Sequence, residues 1–311
     1  MPEQPALIEG RGVTKRFGTF TAVDGIDVRV ERGECFGFLG PNGAGKTSTM
    51  RMIGCVSPLT EGSLTVLGMD VGTQGKAIRA RLGVVPQEDS LDTEVTVLEN
   101  LLVYGRYFGL PRPLLRRRAA ELLEFAQLAD RADARVDPLS GGMKRRLTIA
   151  RALINEPEVV LLDEPTTGLD PQARHLLWDR LHGLRQQGVT LVLTTHYMDE
   201  AEQLCDRLVI MDDARIVAEG SPRQLIDRHA TREVVELRVP DTDRRTALAA
   251  EAERTGERVE VVADRIIVYA AHGDAVVAAL GHHGLPSTSI LVRRATLEDV
   301  FLILTGRTLE D

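Results

Sequence analysis

The sequence predicts an α/β protein with a largely parallel sheet, followed by a small α+β domain. Apolar strands alternate with helical segments over most of the chain, an order typical of a parallel sheet. A glycine-rich turn lies between one of these strands and the helix after it. Beyond about Ala230 the order becomes β-α-β-β-α-β-α. We therefore expect a main domain over residues 7–230 and an accessory domain over residues 231–311.

The composition is that of a globular protein with an acidic balance. The 311 residues are 43% hydrophobic and 27% charged, and the formal net charge is −8. Because a nucleic-acid-binding surface needs a basic field, no nucleic-acid partner is expected. Cys35, Cys55 and Cys205 are widely spaced, which favours reduced thiols over a disulfide framework. The longest apolar runs, such as Val159–Leu162, are too short to span a bilayer, so another chain would have to supply any membrane part.

The first strands lead into a phosphate-binding pattern. Ile26–Val30 and Cys35–Leu39 are apolar, and a helix is expected at Thr47–Cys55. Strand, glycine turn and helix form the context of a P-loop, because glycines let backbone N–H groups converge on phosphate oxygens. Lys46 is expected to reach the β- and γ-phosphates and Thr47 to bind Mg²⁺. The candidate nucleotide-binding residues are Gly40, Pro41, Asn42, Gly43, Ala44, Gly45, Lys46, Thr47 and Ser48.

A helical region follows the P-loop part of the chain. Val95–Tyr107 and Leu114–Leu128 carry apolar residues at helical spacing. Ser140 is expected to cap a further helix at Lys144–Leu153, whose free N–H groups and positive dipole end can bind an anion. The candidate residues of this second anion site are Ser140, Gly141 and Gly142.

Two carboxylates follow the apolar run Val159–Leu162, which is expected to be a buried parallel strand. Asp163 and Glu164 then lie at the carboxyl end of a strand, where open α/β sheets bind ligands. Asp163 is suited to orient Mg²⁺ through water, and Glu164 to polarise an attacking water as a general base. Such a pair can also be a simple helix cap, but its place after a P-loop favours the catalytic interpretation.

The remaining elements continue the same alternation. In the main domain we expect a helix at Gln172–Gln187, a strand at Thr190–Thr195, a short helix at Met198–Cys205 and a hairpin of Leu208–Met211 with Ile216–Glu219. In the accessory domain we expect strands at Glu233–Val239, Val259–Val262, Ile266–Ala270 and Ser289–Val292, and helices at Thr246–Ala252, Asp274–Leu280 and Leu297–Leu304.

The order of these motifs resembles that of the nucleotide-binding subunits of ABC transporters, over about residues 7–225. The resemblance implies a P-loop NTPase fold, namely an ABC ATPase cassette with a RecA-like core and a helical subdomain at about residues 93–155. It also implies ATP and Mg²⁺ as ligands and ATP hydrolysis as the activity.

The resemblance assigns roles to further residues. Phe17 would stack on adenine, although an isolated phenylalanine is also typical of core packing. Gln87 would contact Mg²⁺ and the attacking water, and Asp170 would lie in a loop that crosses between two subunits. His196 would hold the γ-phosphate together with Glu164. The catalytic candidates are thus Glu164, His196 and Gln87, and the metal candidates are Thr47, Gln87 and Asp163.

Two positions depart from the family pattern. Met143 stands where glutamine is more usual, and Phe17 replaces the commoner tyrosine. Neither change removes a phosphate ligand, so we expect the activity to survive.

Leu139–Leu153, Ala173–Trp178 and the ending Leu297–Phe301 resemble ATPases of the nodulation-factor and daunorubicin-resistance exporters. Such ATPases work with compact ABC-2-type permeases on a separate chain. The resemblance therefore implies export of a drug, a lipo-oligosaccharide or another amphiphile. It further implies a head-to-tail dimer of two copies, held peripherally at the cytoplasmic face of the membrane by the permease.

Two alternatives remain open. A soluble ABC ATPase acting on nucleic acid or ribosomes usually carries two cassettes or long coiled coils, whereas this sequence has one cassette and no sustained heptads. A non-catalytic, ATP-gated clamp would not need both Glu164 and His196. In the exporter interpretation, the segment between Gln87 and about Asn100, with Glu88 and Asp89, is expected to face the permease.

Overall fold

The computed structural model of the chain divides into two compact units, which we describe separately. The first unit ends at Glu219 and the second begins at Gly220. The structure describes residues 6–88, 90–254, 258–262, 264–281 and 289–306.

The first unit is built on strands and helices in alternation, with an additional strand-rich part at its start. Its strands are β1 (Ile8–Phe17), β2 (Phe20–Val30), β3 (Cys35–Leu39), β4 (Glu61–Val66), β5 (Met69–Asp70), β6 (Leu82–Val85), β7 (Val159–Asp163), β8 (Thr190–Thr195), β9 (Arg207–Asp212) and β10 (Arg215–Gly220). Its helices are α1 (Lys46–Ile53), α2 (Gly75–Arg79), α3 (Val97–Arg106), α4 (Arg112–Phe125), α5 (Gly141–Ala152), α6 (Pro171–Gln186) and α7 (Met198–Leu204).

A six-stranded sheet carries the centre of this unit, in the order β10-β9-β3-β8-β7-β6. The pairs β9/β3, β3/β8, β8/β7 and β7/β6 are parallel, so the predicted parallel sheet is confirmed. The apolar side chains of β7 are all buried, as expected of a strand covered on both faces. Only its last residue, Asp163, is partly exposed.

The first unit also contains a second, antiparallel sheet. The sequence predicted only one of its strands, at Ile26–Val30. The strand order of this sheet is β2-β1-β4-β5. The register of β1 against β2 shifts between Gly10 and Val13 and again around Lys15, which breaks the alternation that marks a half-buried strand. A common core joins this sheet to the parallel one and to α1, and it includes Ile8, Val28, Phe38, Met52 and Leu161.

The helical region predicted after the P-loop is formed by α3, α4 and α5. Thr96 caps α3 in a reciprocal arrangement with Glu99, so the helix begins at Val97 rather than at Val95. The three helices bury a cluster that includes Val97, Leu101, Leu115, Leu123, Leu147 and Ile154.

The second unit contains α8 (Pro222–His229), β11 (Glu233–Arg238), α9 (Thr242–Glu253), β12 (Arg258–Val262), β13 (Arg265–Ala270), α10 (Gly273–Gly281), β14 (Ile290–Arg294) and α11 (Leu297–Thr305). From β11 onward the predicted order β-α-β-β-α-β-α is confirmed; α8 was not predicted. The strands form an antiparallel sheet in the order β12-β13-β11-β14. Val235 and Val268 pack with α9 and α10, whereas Val234 and Tyr269 pack with Ile226 of α8 and Ile303 of α11. Within the described ranges, no helix of either unit has the length and apolar character needed to cross a membrane.

A buried ion pair supports the second unit. Asp299 is fully buried, and its carboxylate accepts hydrogen bonds from Arg293 at 2.6 and 2.9 Å and from the backbone N–H of Thr296 at 2.8 Å. The hydrogen bonds that Arg293 donates to Asp299 are the largest cause of a raised pKa of Arg293. The pair therefore ties α11 to β14.

We expect Asp299→Ala to lower the free energy of unfolding of the second unit by about 3 kcal/mol, because it leaves a partly buried arginine without this partner. Urea denaturation of the full chain, followed by circular dichroism, measures this. The control is Asp227→Ala on α8, which removes an exposed ion pair to Arg223 at 3.7 Å. We expect the control to cost about 0.5 kcal/mol or less. Equal effects of the two changes would contradict the assignment.

Candidate functional site

The turn between β3 and α1 depends on two close backbone approaches and two positive φ angles. A Cβ atom at Gly40 would lie 2.3 Å from the carbonyl oxygen of Met211, and one at Gly45 would lie 2.4 Å from that of Ala22. Gly43 and Gly45 have φ of 85° and 102°, a region that side chains disfavour. No side chain caps α1, so its first N–H groups remain available to an anion.

Lys46 lies inside this turn. Its side chain is only 5% exposed, and its ammonium donates hydrogen bonds to the carbonyls of Gly40 at 2.7 Å and Pro41 at 3.0 Å. Burial lowers the pKa of Lys46, whereas the nearby charges of Glu164 and Asp163 raise it. A desolvated ammonium at the start of a helix is well placed to bind phosphate oxygens.

Asp163 joins three elements at the carboxyl ends of neighbouring strands. Its Oδ1 accepts a hydrogen bond from the Thr47 hydroxyl of α1 at 3.1 Å and another from the Thr194 hydroxyl of β8 at 2.5 Å. Thr47 and Asp163 are two of the three predicted metal candidates, and this hydrogen bond brings them together. Thr194 was not predicted, since a threonine in a buried strand has no distinguishing pattern.

The carboxylate of Glu164 is buried, and three polar side chains that were predicted as site residues lie close to it. They are the catalytic candidates Gln87 and His196 and the P-loop residue Lys46. Gln87 Nε2 donates to Glu164 Oε2 at 2.9 Å. His196 Nδ1 lies 3.3 Å and Lys46 Nζ lies 3.8 Å from Glu164 Oε1. The interaction with His196 is the largest influence on this carboxyl and holds the pKa of Glu164 below its usual value, although burial opposes it.

The backbone of Glu164 is strained. Its φ is 44°, in the left-handed region that residues with side chains rarely adopt. The N–H of Glu164 donates to the backbone carbonyl and the hydroxyl of Thr194, at 3.1 and 3.0 Å. These contacts hold the carboxylate at the carboxyl end of the sheet, and strain of this kind collects at functional sites.

Arg145 is a second residue of this region, after Thr194, that sequence reasoning missed. Arg145 of α5 is buried, and its guanidinium donates to the carbonyls of Pro86, Gln87, Asp163, Glu164 and Pro165. It stands in the run Lys144-Arg145-Arg146, and nothing in the spacing distinguishes it from its partly exposed neighbour Arg146. Only the tertiary contacts reveal it.

The other predicted residues lie on separate elements and make local contacts. Phe17, at the end of β1, is 54% exposed, with the Lys15 ammonium 4.8 Å from its ring centre. Ser140 caps α5 by accepting from the N–H of Met143 at 3.3 Å, as predicted from the sequence. Asp170 caps α6 by accepting from the N–H of Ala173 at 2.8 Å. Within the part of the chain that the structure describes, these contacts are local and do not reach the cluster around Glu164. The remaining candidates are Asn42 and Ala44 in the turn, Ser48 in α1, and Gly141 and Gly142 at the start of α5.

A groove of about 500 Å³ adjoins the site. Thr47, Gln87 and Asp163 line it together with the apolar side chains of Val56 and Val84, both of which are exposed. The groove therefore connects the polar cluster with an apolar surface of the same unit.

The arrangement can bind a triphosphate and activate water. The turn and Lys46 offer donors to phosphate oxygens, and Thr47 and Asp163 offer the oxygen ligands that Mg²⁺ prefers. Glu164, kept ionised and held by neighbours, can accept a proton from water.

Comparison with known proteins also indicates a nucleotide-binding protein. Residues 23–167 match the family model described as ABC transporter, and residues 245–306 match the model described as Nodulation factor export protein NodI, C-terminal domain. The Nod factor export ATP-binding protein I of Ralstonia nicotianae is 49% identical over 98% of this chain and 95% of its own length. The protein of that name from Paraburkholderia xenovorans is 49% identical over 100% of both chains.

Solved structures agree on the fold. A dimeric post-hydrolysis structure of the ATP-binding cassette MJ0796, bound to ADP and Pi, superposes with a TM-score of 0.64 and 28% identity, over 69% of this chain and 98% of that one. CbiO1 from Clostridium perfringens, part of an ABC transporter complex, gives a TM-score of 0.67 at 25% identity, over 72% of this chain and 92% of that one.

The fold and the site define a P-loop ATPase built as an ATP-binding cassette. Relatives of nearly equal length fix its place within that class. The chain belongs to the ATP-binding proteins of ABC transporters, in the group of the Nod factor export ATP-binding proteins.

Gly43 and Gly45, the two glycines of the β3–α1 turn with positive φ, allow a matched test of this turn. Gly45→Ala brings a Cβ against the Ala22 carbonyl, so the turn must shift, and we expect the Kd for ATP to rise by more than about tenfold. Gly43→Ala meets no atom within 4 Å and carries only the φ cost, about 1 kcal/mol, or a rise of about fivefold. Titration with a fluorescent ATP analogue measures both. A Gly45→Ala protein that binds as well as Gly43→Ala would contradict the close approach.

Proposed function

We propose that this chain is the ATP-binding and ATP-hydrolysing subunit of an exporter, acting as two copies with a separate ABC-2-type permease. The observation that carries the catalytic part is the convergence of Gln87, His196 and Lys46 on the carboxylate of Glu164. The relatives that match along the whole chain are named as export ATP-binding proteins, which favours the exporter over a soluble ATPase acting on nucleic acid or ribosomes.

In this proposal the nucleotide lies against the turn between β3 and α1. Phe17, exposed at the end of β1, stacks on adenine. Residues 40–48 bind the phosphates through backbone N–H groups, the Lys46 ammonium and the Ser48 hydroxyl. Thr47, Asp163 and Gln87 would hold Mg²⁺, which supplies positive charge to the phosphate oxygens. The hydrogen bond of 3.1 Å between Thr47 and Asp163 fits such a shared ligand set.

Glu164 is the proposed general base. A carboxylate whose pKa is held low stays ionised at neutral pH and can orient an attacking water. His196 lies beside it and is placed to contact the γ-phosphate. Gln87 bonds to the same carboxylate from the other side and is placed to report the presence of nucleotide to the adjoining groove.

Each site is proposed to be completed by the second copy. Ser140 and Gly141 are exposed at the start of α5, whose N-terminal N–H groups and dipole suit an anion. Ser140 Oγ accepts from the Met143 N–H of its own helix. Its exposure suits contact with a nucleotide bound by another chain. In a head-to-tail dimer, Ser140–Gly142 of one copy would contact the γ-phosphate bound by its partner, and Asp170 would lie near the interface.

The permease is proposed to bind at the groove beside Gln87. The exposed side chains of Val56 and Val84 give this surface an apolar part, and Glu88 is exposed next to it. The segment after it is held firmly, since Asn100 bonds to both the N–H and the carbonyl of Asp92. Asp89 lies outside the described residues. Such docking would hold the chain at the cytoplasmic face of the membrane.

The proposed cargo is an amphiphile. The relatives are named for export of Nod factor, which favours a lipo-oligosaccharide over a drug as the class to be tested first.

We expect Glu164→Gln to bind ATP, to reduce its hydrolysis by at least about 100-fold, and to accumulate as an ATP-dependent dimer. Light scattering during gel filtration, with and without ATP, detects the dimer, and phosphate release measures turnover. Adding Lys46→Ala to Glu164→Gln should abolish the dimer, since the phosphates then lose their buried cation. Rapid turnover by Glu164→Gln would exclude this residue as the base.

A charge reversal tests the permease surface. We expect Glu88→Arg to reduce co-purification with a co-expressed ABC-2-type permease and to reduce export of a lipo-oligosaccharide, while ATP binding is retained. The control is Glu121→Arg on α4, an exposed glutamate that does not line the groove. Unchanged binding and export by Glu88→Arg would exclude this surface. A wild-type chain that binds no permease would exclude the exporter function itself.

A further inference from the structure

Arg145 connects α5 with two other segments of the site. Its Nη1 donates to the carbonyls of Pro86 at 2.5 Å and Gln87 at 3.4 Å. On the other side, its Nη2 and Nε donate to three consecutive carbonyls that begin with the last residue of β7. They are those of Asp163 at 3.0 Å, Glu164 at 3.1 Å and Pro165 at 2.8 Å.

The two segments carry side chains that must meet. Gln87 comes from the first and Glu164 from the second, and their side chains are joined by a hydrogen bond of 2.9 Å. A guanidinium is planar and presents its donors in a fixed fork, so it sets the spacing between the carbonyls that it joins. Arg145 is therefore placed to set, through the backbone, the distance between the segments that carry the Gln87 amide and the Glu164 carboxylate.

A second arginine of α5 holds the same loop further along. Arg151 donates to the carbonyl of Ser90 at 2.6 Å and to its hydroxyl at 2.5 Å. The segment around Gln87 is thus fastened to α5 at both ends. Through the hydrogen bonds of Arg145 and Arg151, a displacement of α5 would move the segment that carries Gln87.

The helix that carries Arg145 is also the one that begins at the second anion site. Arg145 lies five residues after Ser140, a rise of about 8 Å along the helix axis. An anion bound at the N-terminus of α5 and the guanidinium in its second turn therefore belong to one rigid element.

We propose that Arg145 is a positioning residue that couples the nucleotide bound by the partner copy to the hydrolytic arrangement of Gln87 and Glu164 in its own copy. This inference rests on the proposed dimer. When the partner's nucleotide engages Ser140–Gly142, α5 is fixed, and Arg145 fixes the two segments that carry the base and its amide partner. Hydrolysis at one site then depends on the occupancy of the other, which gives cooperative turnover.

The test is Arg145→Lys in the full-length chain. A lysine keeps the charge but lacks the fork that spans both segments. We expect ATP binding to persist, kcat to fall on the order of 10- to 100-fold, and the Hill coefficient for ATP to fall to about one. In a Glu164→Gln background, the ATP-dependent dimer should still form. Hydrogen exchange should then show that the backbone N–H groups of residues 87–88 and of residues 163–167 other than Pro165 are protected by ATP with Arg145 present and unprotected with Arg145→Lys.

The matched control is Arg146→Lys, the adjacent position of the same helix. Arg146 bonds to the carbonyl of Ala126 and the side chain of Gln127, away from Gln87 and Glu164. We expect this control to keep the wild-type kcat and Hill coefficient. Its melting temperature is the reference for folding.

Three other outcomes would each overturn the inference. If wild-type protein shows cooperative turnover and Arg145→Lys shows the same kcat and Hill coefficient, the inference is wrong. If both Arg145→Lys and Arg145→Gln melt well below the Arg146→Lys control, Arg145 is a structural residue and the inference is overturned. If wild-type protein forms no ATP-dependent dimer, the proposed dimer fails first, and the coupling fails with it.

Discussion

The parallel register of three neighbouring strands is the constraint on which the site depends. Leu39, the last residue of β3, pairs with Thr195 of β8, and Asp163 of β7 pairs with Thr194. The carboxyl ends of the strands are thus level, so the P-loop, the carboxylate pair and the segment that carries His196 emerge side by side. Main-chain hydrogen bonds deep in the sheet fix this alignment before any polar side chain contributes to it.

Helix α5 is a second organising element of the site. Its residue Arg145 donates hydrogen bonds to main-chain carbonyls of the segments that carry Gln87 and Glu164. Five carbonyl oxygens converge on one guanidinium, and each belongs to a residue that is irregular in conformation or that ends a strand. Such segments leave carbonyl groups that the ladders of the sheet cannot satisfy. Arg145 satisfies them and in doing so removes their freedom to move independently. In the proposed mechanism, the same bonds therefore satisfy these carbonyls and position Gln87 and Glu164.

The parts that were predictable from the sequence are those governed by local pattern. Continuous apolar runs identified β3, β7 and β8, and the glycine turn and the Ser140 cap followed from backbone chemistry. The antiparallel sheet was not predicted as a sheet, because the bulges of β1 break its alternation and β4 begins with polar residues. Arg145 and Thr194 could not be found at all. Their importance lies in partners far away in the chain, which no spacing rule reports.

The left-handed backbone at Glu164 means that this position combines a conformational cost with the placement of a carboxylate. A residue with a side chain costs about 1–2 kcal/mol in that conformation, and glycine does not. A glycine at position 164 would therefore relax the backbone, but it would also remove the group on which Gln87, His196 and Lys46 converge. The surrounding contacts of the sheet offset this cost in the folded chain.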